Sequence, residues 1–125
     1  MTNVSMDKGK WAYRKLKEIE NKAHYILDID WGETVEYGLQ EEHTPNIYVL
    51  MTTKRVILCY KTSATEKTKV SIPYKTIVTW DMVNDKSTNK TTMRLMTPCG
   101  FYTIENLDNR LSTQVENRLV GKCCS

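Results

Sequence analysis

The feature that most limits the fold is a succession of seven short apolar and β-branched runs with no helical pattern between them. The runs fall within residues 34–105, where Thr, Val, Ile, Tyr and Trp are frequent, and turn-forming or small polar segments such as TPCG and NDKSTNK separate them. Residues of the first kind suit a pleated surface, and the interruptions predict turns. The predicted strands cover residues 34–39, 47–52, 55–60, 68–72, 77–83, 91–97 and 101–105.

Strands joined in succession by short turns predict an antiparallel meander, because parallel βαβ units would need a helix in each connection. The second run is apolar on both faces, since Ile47, Val49 and Met51 alternate with Tyr48 and Leu50. We therefore expect this strand to be covered on both sides. A sheet of this length protects its edges by curling. The predicted class is mainly β (α+β), a seven-stranded antiparallel bent sandwich or barrel.

An amphipathic helix is predicted on each side of the strands. In the first, residues 7–27 contain no Pro and place apolar side chains at a 4-3-4-3 spacing that forms one stripe. In the second, Asn106 or Asp108 is the predicted N-cap, apolar residues recur every four positions, and Gly121 is the predicted stop. The stripe of the first helix consists of Ala12, Leu16, Ile19, Ala23 and Ile26.

These patterns divide the chain into an N-terminal amphipathic helix at 1–28, one folded domain at 29–120 that the C-terminal helix caps, and a flexible tail at 121–125. The 125 residues fit one domain, since roughly 100 to 200 residues per domain is usual. The N-terminus lacks the apolar segment of a secretory signal, and no apolar run approaches the ~20 residues of a membrane-spanning helix. We therefore expect a cytoplasmic location.

Few residues suggest catalysis or a bound cofactor. The four cysteines lack the spacing of a metal site, and His24 and His43 are not part of a recognisable catalytic motif. Cys59 and Trp80 lie in apolar strand patterns and are expected in the core. The sequence therefore predicts a protein that is not an enzyme and that holds neither a metal nor a cofactor.

The order of these elements and several local motifs resemble the pleckstrin-homology-like (PH-like) superfamily, in particular its bacterial PH-like and GRAM-type domains. The resemblance covers about residues 32–120 and rests on Gly32-Glu33, the T-x-x-R unit from Thr52 to Arg55, IPY at 72–74, and the strand GFYTIENL before the last helix. It implies seven antiparallel strands in two bent sheets with a C-terminal capping helix. It also implies a binding scaffold, of bacterial or phage origin. The N-terminal helix lies outside the shared region.

The basic tip of the hairpin IYVLMTTKRVILCYK has two interpretations. Arg55 could cover apolar surface with its stem while the guanidinium binds a carbonyl or a carboxylate of the chain itself. Alternatively, a basic rim could bind anions, because residues 54–69 contain five basic side chains and one acidic one. The residues of this rim are Lys54, Arg55, Lys61, Lys67 and Lys69.

The predicted partner is another protein, or a second copy of the chain, which would dock on the helical stripe or on an exposed edge strand. Peripheral binding to anionic lipid headgroups through the basic rim is the alternative. Nucleic-acid binding is a weaker alternative, since the net charge of +3 is modest and the aromatic residues are not interleaved with the basic ones.

Overall fold

All seven predicted strands are present in the computed structural model, which describes residues 2–6, 11–13, 32–41, 48–61 and 67–123. Their bounds differ from the predicted ones by no more than two residues at either end. The elements in chain order are β1 (Thr2–Met6), β2 (Trp11–Tyr13), β3 (Val35–Glu41), β4 (Tyr48–Thr52), β5 (Arg55–Lys61), β6 (Lys67–Pro73), a 3₁₀ turn (Tyr74–Thr76), β7 (Thr79–Asp85), β8 (Lys90–Thr97), β9 (Gly100–Leu107) and α1 (Asn109–Cys123).

One of the two compact units of the chain comprises Trp11–Pro73. Its described strands form an antiparallel sheet in the order β2-β3-β4-β5-β6. Every residue of β4 is buried, as expected for a strand that is apolar on both faces. Cys59 of β5 is also buried, which confirms its predicted place in a core.

The other unit comprises Met1–Lys10 and Tyr74–Ser125. Its described strands are ordered β1-β9-β8-β7, with β1 parallel to β9 and the other pairs antiparallel. Helix α1 contacts β8 and β9. The buried side chains on these three elements include Met93, Leu95, Ile104, Leu107, Leu111, Val115 and Leu119.

Helix α1 begins as predicted and ends later than predicted. Its N-cap is Asp108, whose Oδ1 accepts the backbone N–H of Leu111 at 2.8 Å. Gly121 lies inside the helix, which continues to Cys123, so the predicted stop is wrong. The described glycines with positive φ are Gly32 and Gly100. Gly121 therefore does not adopt the left-handed conformation through which a glycine ends a helix.

Two other expectations are corrected. The helix predicted over 1–28 cannot include Thr2–Met6 or Trp11–Tyr13, because these segments are strands that pair with β9 and β3, respectively. The remainder of that range, residues 1, 7–10 and 14–28, lies outside the described residues. Trp80 is half-buried rather than enclosed in the core. The physical reason is that β7 is at the edge of its sheet among the described strands, so β8 alone of these strands lies beside it.

Candidate interaction surface

The basic tip between β4 and β5 is a two-residue turn whose geometry depends on Thr52. The Thr52 hydroxyl oxygen accepts the backbone N–H groups of Lys54 at 3.1 Å and Arg55 at 3.0 Å. The same hydroxyl donates its proton to the carboxylate of Glu33. Thr53 reaches the segment before β3 as well, because its backbone N–H donates to the carbonyl of Thr34 at 2.9 Å. The tip is thus fixed to a segment that lies some twenty residues earlier in the chain.

Arg55 forms a buried, two-pronged ion pair with Glu33. Its Nε donates to Oε2 and its Nη2 to Oε1, each at 2.9 Å, and its Nη1 donates to Ser71 Oγ at 2.8 Å. The Glu33 side chain is 0 % exposed and that of Arg55 is 15 % exposed. Paired charges in this geometry satisfy one another away from water. Of the two interpretations of Arg55, binding to a carboxylate of the chain itself is confirmed.

Glu33 is the residue of this network whose role the sequence did not reveal. It follows Gly32, whose φ is +80° and whose absent Cβ would meet nothing within 4 Å. The backbone conformation, and not lack of space, therefore favours glycine at this position. Gly32 and Glu33 belong to the motifs on which the resemblance rests, so the signal was visible although its chemical meaning was not.

The five residues of the predicted basic rim are not brought together. Lys54 is exposed at the turn, beside Arg55 at one end of β5. Lys61 and Lys67 pair at the opposite end of the β5–β6 ladder. Six residues of strand separate the two ends, which is about 20 Å at ~3.3 Å per residue. Lys69 is exposed on β6, closer to the far end.

The predicted helical stripe is described at Ala12 alone. This residue lies on β2, where its backbone pairs with that of Gln40 in β3. The other four residues of the stripe, Leu16, Ile19, Ala23 and Ile26, lie outside the described residues. An interface formed by them stays a prediction.

Two of the four outer strands of the described sheets, β6 and β7, differ in how they are protected. Strand β6 carries Lys67 and Lys69 and ends at Pro73, which are residues that discourage another strand from pairing with an edge. Strand β7 has no Lys, Arg or Pro, and its charged residues are Asp81 and Asp85. Val83 of β7 is 63 % exposed, and Val78, the residue before the strand, is 72 % exposed. Of these two outer strands, β7 is therefore the one on which an incoming chain meets exposed apolar side chains.

Two side-chain hydrogen bonds join β7 to α1. The indole Nε1 of Trp80 donates to Glu116 Oε2 at 3.0 Å. The amide Nδ2 of Asn84 donates to Asn109 Oδ1 at 2.9 Å. The edge strand is thus held beside the helix at two points along its length.

The other face of β7 carries acidic side chains. Asp81 forms an exposed ion pair with Arg94 of β8, and the Arg94 guanidinium lies over the ring of Phe101 at 5.7 Å from its centroid. At the end of the strand, hydrogen bonds from the Ser87 hydroxyl at 2.7 Å and the Ser87 backbone N–H at 2.9 Å hold the pKa of the Asp85 carboxyl below its usual value. Asp85 therefore stays ionised at neutral pH.

Within the described residues, no group of three or more His, Cys, Asp or Glu side chains is placed to hold a metal ion. The same part of the chain contains no helix with the length and apolarity that crossing a bilayer requires.

Comparison with solved structures gives the fold. The chain is similar to a DUF1696 family protein with a pleckstrin-homology domain from Shewanella loihica PV-4, with a TM-score of 0.76, 16% identity, and coverage of 93% of this chain and 99% of that one. It is also similar to a pleckstrin homology domain from Shewanella amazonensis SB2B, with a TM-score of 0.68, 16% identity, and coverage of 89% and 100%. No family model and no curated protein matches the sequence. The two structures confirm the predicted PH-like fold class, and neither is described as a GRAM-type domain.

Proposed function

We propose, on the premise that the chain has the PH-like fold, that it is a non-enzymatic interaction module that binds a protein partner at the open edge of β7. The observation that carries the proposal is the exposure of Val78 and Val83 at a sheet edge without Lys, Arg or Pro. An unprotected edge offers backbone N–H and C=O groups to another strand, and exposed apolar side chains add area that a partner can bury.

The proposed module is of bacterial or phage origin and acts in the cytoplasm; the bacterial source of both similar structures is in line with such an origin. A lipid-binding function has less support, because the Arg55 guanidinium is engaged with Glu33 and Ser71. Within the described turn between β4 and β5, Lys54 is the exposed cation. A single exposed lysine is weak as an anchor to anionic headgroups.

Affinity capture with an edge variant tests the proposal. Val83→Lys places a charge on the open edge at a residue that is already exposed, so the fold should tolerate it. Gln114→Lys is the matched control, because it adds the same charge on an exposed part of α1 that faces away from β7. We expect at least one protein from an extract of the native cells to bind the unmodified chain and the control, and to be depleted at least tenfold by Val83→Lys. A set of captured proteins that does not depend on Val83 would contradict the proposal.

Self-association through the rest of the predicted helical stripe, Leu16, Ile19, Ala23 and Ile26, is a separate proposal, which rests on the sequence pattern. Removing residues 1–28 is an unsuitable test, because the deletion would take away β1, a strand of the sheet. Leu16→Asp disturbs the stripe and leaves β1 intact. If copies associate through the stripe, light scattering will show a higher mass for the unmodified chain than for Leu16→Asp at the same concentration. Equal monomer masses would exclude it.

A further inference from the structure

The pairing of β1 with β9 differs from every other strand pairing among the described residues. The other described pairs join strands that follow one another in the chain, and they are antiparallel. Strands β1 and β9 are parallel, and residues 7–99 lie between them. Because no turn joins the two strands, their connection does not require that both belong to the same copy of the chain.

Strand β1 covers an edge that would otherwise be unprotected. Its Cα partners on β9 run without a gap from Thr2 with Gly100 to Met6 with Ile104. Strand β9, GFYTIENL, contains aromatic and β-branched residues that suit a sheet, and it contains no Lys, Arg or Pro. Without β1 it would be an outer strand that lacks the residues which discourage pairing. The β9 edge therefore needs a cover, and every copy of the chain carries the segment that fits it.

A short link connects β1 to the next described strand. Residues 7–10, with the sequence DKGK, lie between Met6 of β1 and Trp11 of β2, and the two strands belong to different compact units. The five Cα–Cα steps from Met6 to Trp11 span at most about 18 Å. Such a link restricts the conformations in which β1 can meet the β9 of its own copy, and short hinges favour the exchange of a segment between copies.

From these observations we infer that β1 is exchanged between two copies of the chain, so that the β1 of each copy pairs with the β9 of the other. The exchanged dimer keeps every β1–β9 pairing of the closed chain and differs from it in the link alone, so exchange costs little beyond the entropy of association. A strand tethered by a short link has an effective concentration of about 1 mM, and we therefore expect dimers as the protein concentration approaches about 1 mM.

Exchange at β1 leaves the β7 edge available. The described order β1-β9-β8-β7 puts β1 and β7 at opposite edges of one sheet. An exchanged dimer therefore presents two β7 edges, and a partner with two docking segments would bind the dimer more tightly than the closed chain by about a hundredfold. The inference goes beyond the proposed function and does not depend on it, because it concerns the opposite edge of the sheet.

Disulfide cross-linking shows which copy supplies β1. Ser5 and Thr103 are Cα partners, and paired strands lie about 4.8 Å apart, which is within the Cα separation that a disulfide bridges. The chain to be tested carries Ser5→Cys and Thr103→Cys and keeps the buried Cys59. Three natural cysteines are replaced by Ser to prevent other disulfides: Cys99, Cys123 and Cys124. After oxidation, a closed chain gives a cross-linked monomer and an exchanged pair gives a covalent dimer.

The length of the link is the variable that should control exchange. We expect the covalent dimer to rise from under about a tenth of the cross-linked product at ~10 μM protein to about half at ~1 mM. Inserting ten Gly and Ser residues after Gly9 frees β1 to reach its own β9, so the dimer fraction at ~1 mM should fall about fivefold. Deleting Lys8 and Gly9 shortens the reach of the link to about 11 Å and should raise the dimer fraction. The insertion leaves every described element intact, so it decides even where the deletion variant does not fold.

Two controls separate exchange from other contacts between copies. Ser5→Cys with Ser87→Cys is the matched cysteine pair, because Ser87 is exposed in the turn between β7 and β8, away from β9. Chance collisions would cross-link this pair as readily as the test pair, whereas exchange predicts little covalent dimer from it. Leu16→Asp, added to the test pair, should leave the dimer fraction unchanged, because exchange through β1 does not use the predicted helical stripe.

The possible outcomes separate the inference from the proposed function. Covalent monomer alone at both concentrations, no cross-linked product from the test pair, or a dimer fraction that does not respond to the link overturns the inference. Capture of a cellular partner that still depends on Val83 in those cases leaves the proposed function standing. A covalent dimer together with capture that does not depend on Val83 supports exchange and overturns the proposed function.

Discussion

Replacing Arg55 with methionine tests whether the basic tip serves the fold. Arg55→Met keeps an apolar stem and removes the guanidinium, which leaves the carboxylate of Glu33 buried, at 0 % exposure, without its ion-pair partner. Breaking a buried pair on one side costs about 3–5 kcal/mol, a large part of the roughly 5–15 kcal/mol that stabilises a typical domain. Adding Glu33→Gln should recover part of the loss, because the amide oxygen still accepts the Thr52 hydroxyl while no unpaired charge remains.

Urea unfolding followed by tryptophan fluorescence measures both effects. With a denaturant slope of about 2 kcal/mol/M, the loss should lower the midpoint by about 1.5–2.5 M. Arg94→Met is the matched control, since the Arg94–Asp81 pair is exposed and rests on Phe101. An exposed pair contributes about 0.2–1 kcal/mol and a cation–π contact about 0.5–1 kcal/mol, so this variant should lose under about 2 kcal/mol. Equal losses for the two arginine variants, or a double variant less stable than Arg55→Met, would refute the reasoning.

Two further predictions concern charge. Hydrogen bonds from Ser87 lower the pKa of Asp85 in the folded chain, so ionised Asp85 stabilises the fold above its unfolded pKa, and this contribution is lost as the pH falls through the folded pKa. Asp85→Asn should therefore lower the melting temperature at pH 7 and not at pH 2. In a Ser87→Ala background, Asp85→Asn should lower the melting temperature at pH 7 by less. In liposome sedimentation at low salt, we expect anionic vesicles to retain the chain no more than neutral vesicles do, and Lys54→Glu to leave the retained fraction unchanged. Salt-sensitive retention on anionic vesicles that Lys54→Glu weakens would instead support lipid binding.

Local sequence was sufficient for the elements that depend on near neighbours. The turn at Thr53 and Lys54 separates two runs whose alternation is visible in the chain, and the structure starts β5 at Arg55 as predicted. The N-cap Asp108 needs contact with a residue three positions away. In both cases the interaction that fixes the boundary lies within a few residues, where turn and capping preferences operate.

Elements that depend on distant partners could not be read in the same way. The backbone of Thr2 pairs with Gly100, at the other end of the chain, and no local pattern in the first six residues announces this parallel strand. Ala12 fits a helical spacing, yet Trp11 and Tyr13 have high β propensity and the segment pairs with β3. Tertiary pairing overrode the periodic pattern at this position.

The candidate interaction surface also depends on contacts between residues that are distant in the chain, which the sequence alone did not reveal. Sequence identified Arg55 as a possible ion-pair member, but its carboxylate partner lies 22 residues earlier and is set in place by the backbone at Gly32. Sequence also anticipated that an edge strand would be exposed, without saying which one. The order of strands in a sheet is a topological property, so the difference between the protected edge β6 and the open edge β7 required the structure.

The net charge of +3 would by itself favour an acidic partner, but two of the arginines are engaged with carboxylates of the chain itself. Arg55, one of the basic residues expected to bind an anion, is neutralised by a buried carboxylate of the same chain. On the outer strand β7, Asp81 is paired with Arg94 of β8, and Asp85 is followed directly by Lys86. Within a Debye length of about 8 Å at physiological salt, an approaching strand responds to the nearest charges rather than to the sum over the chain.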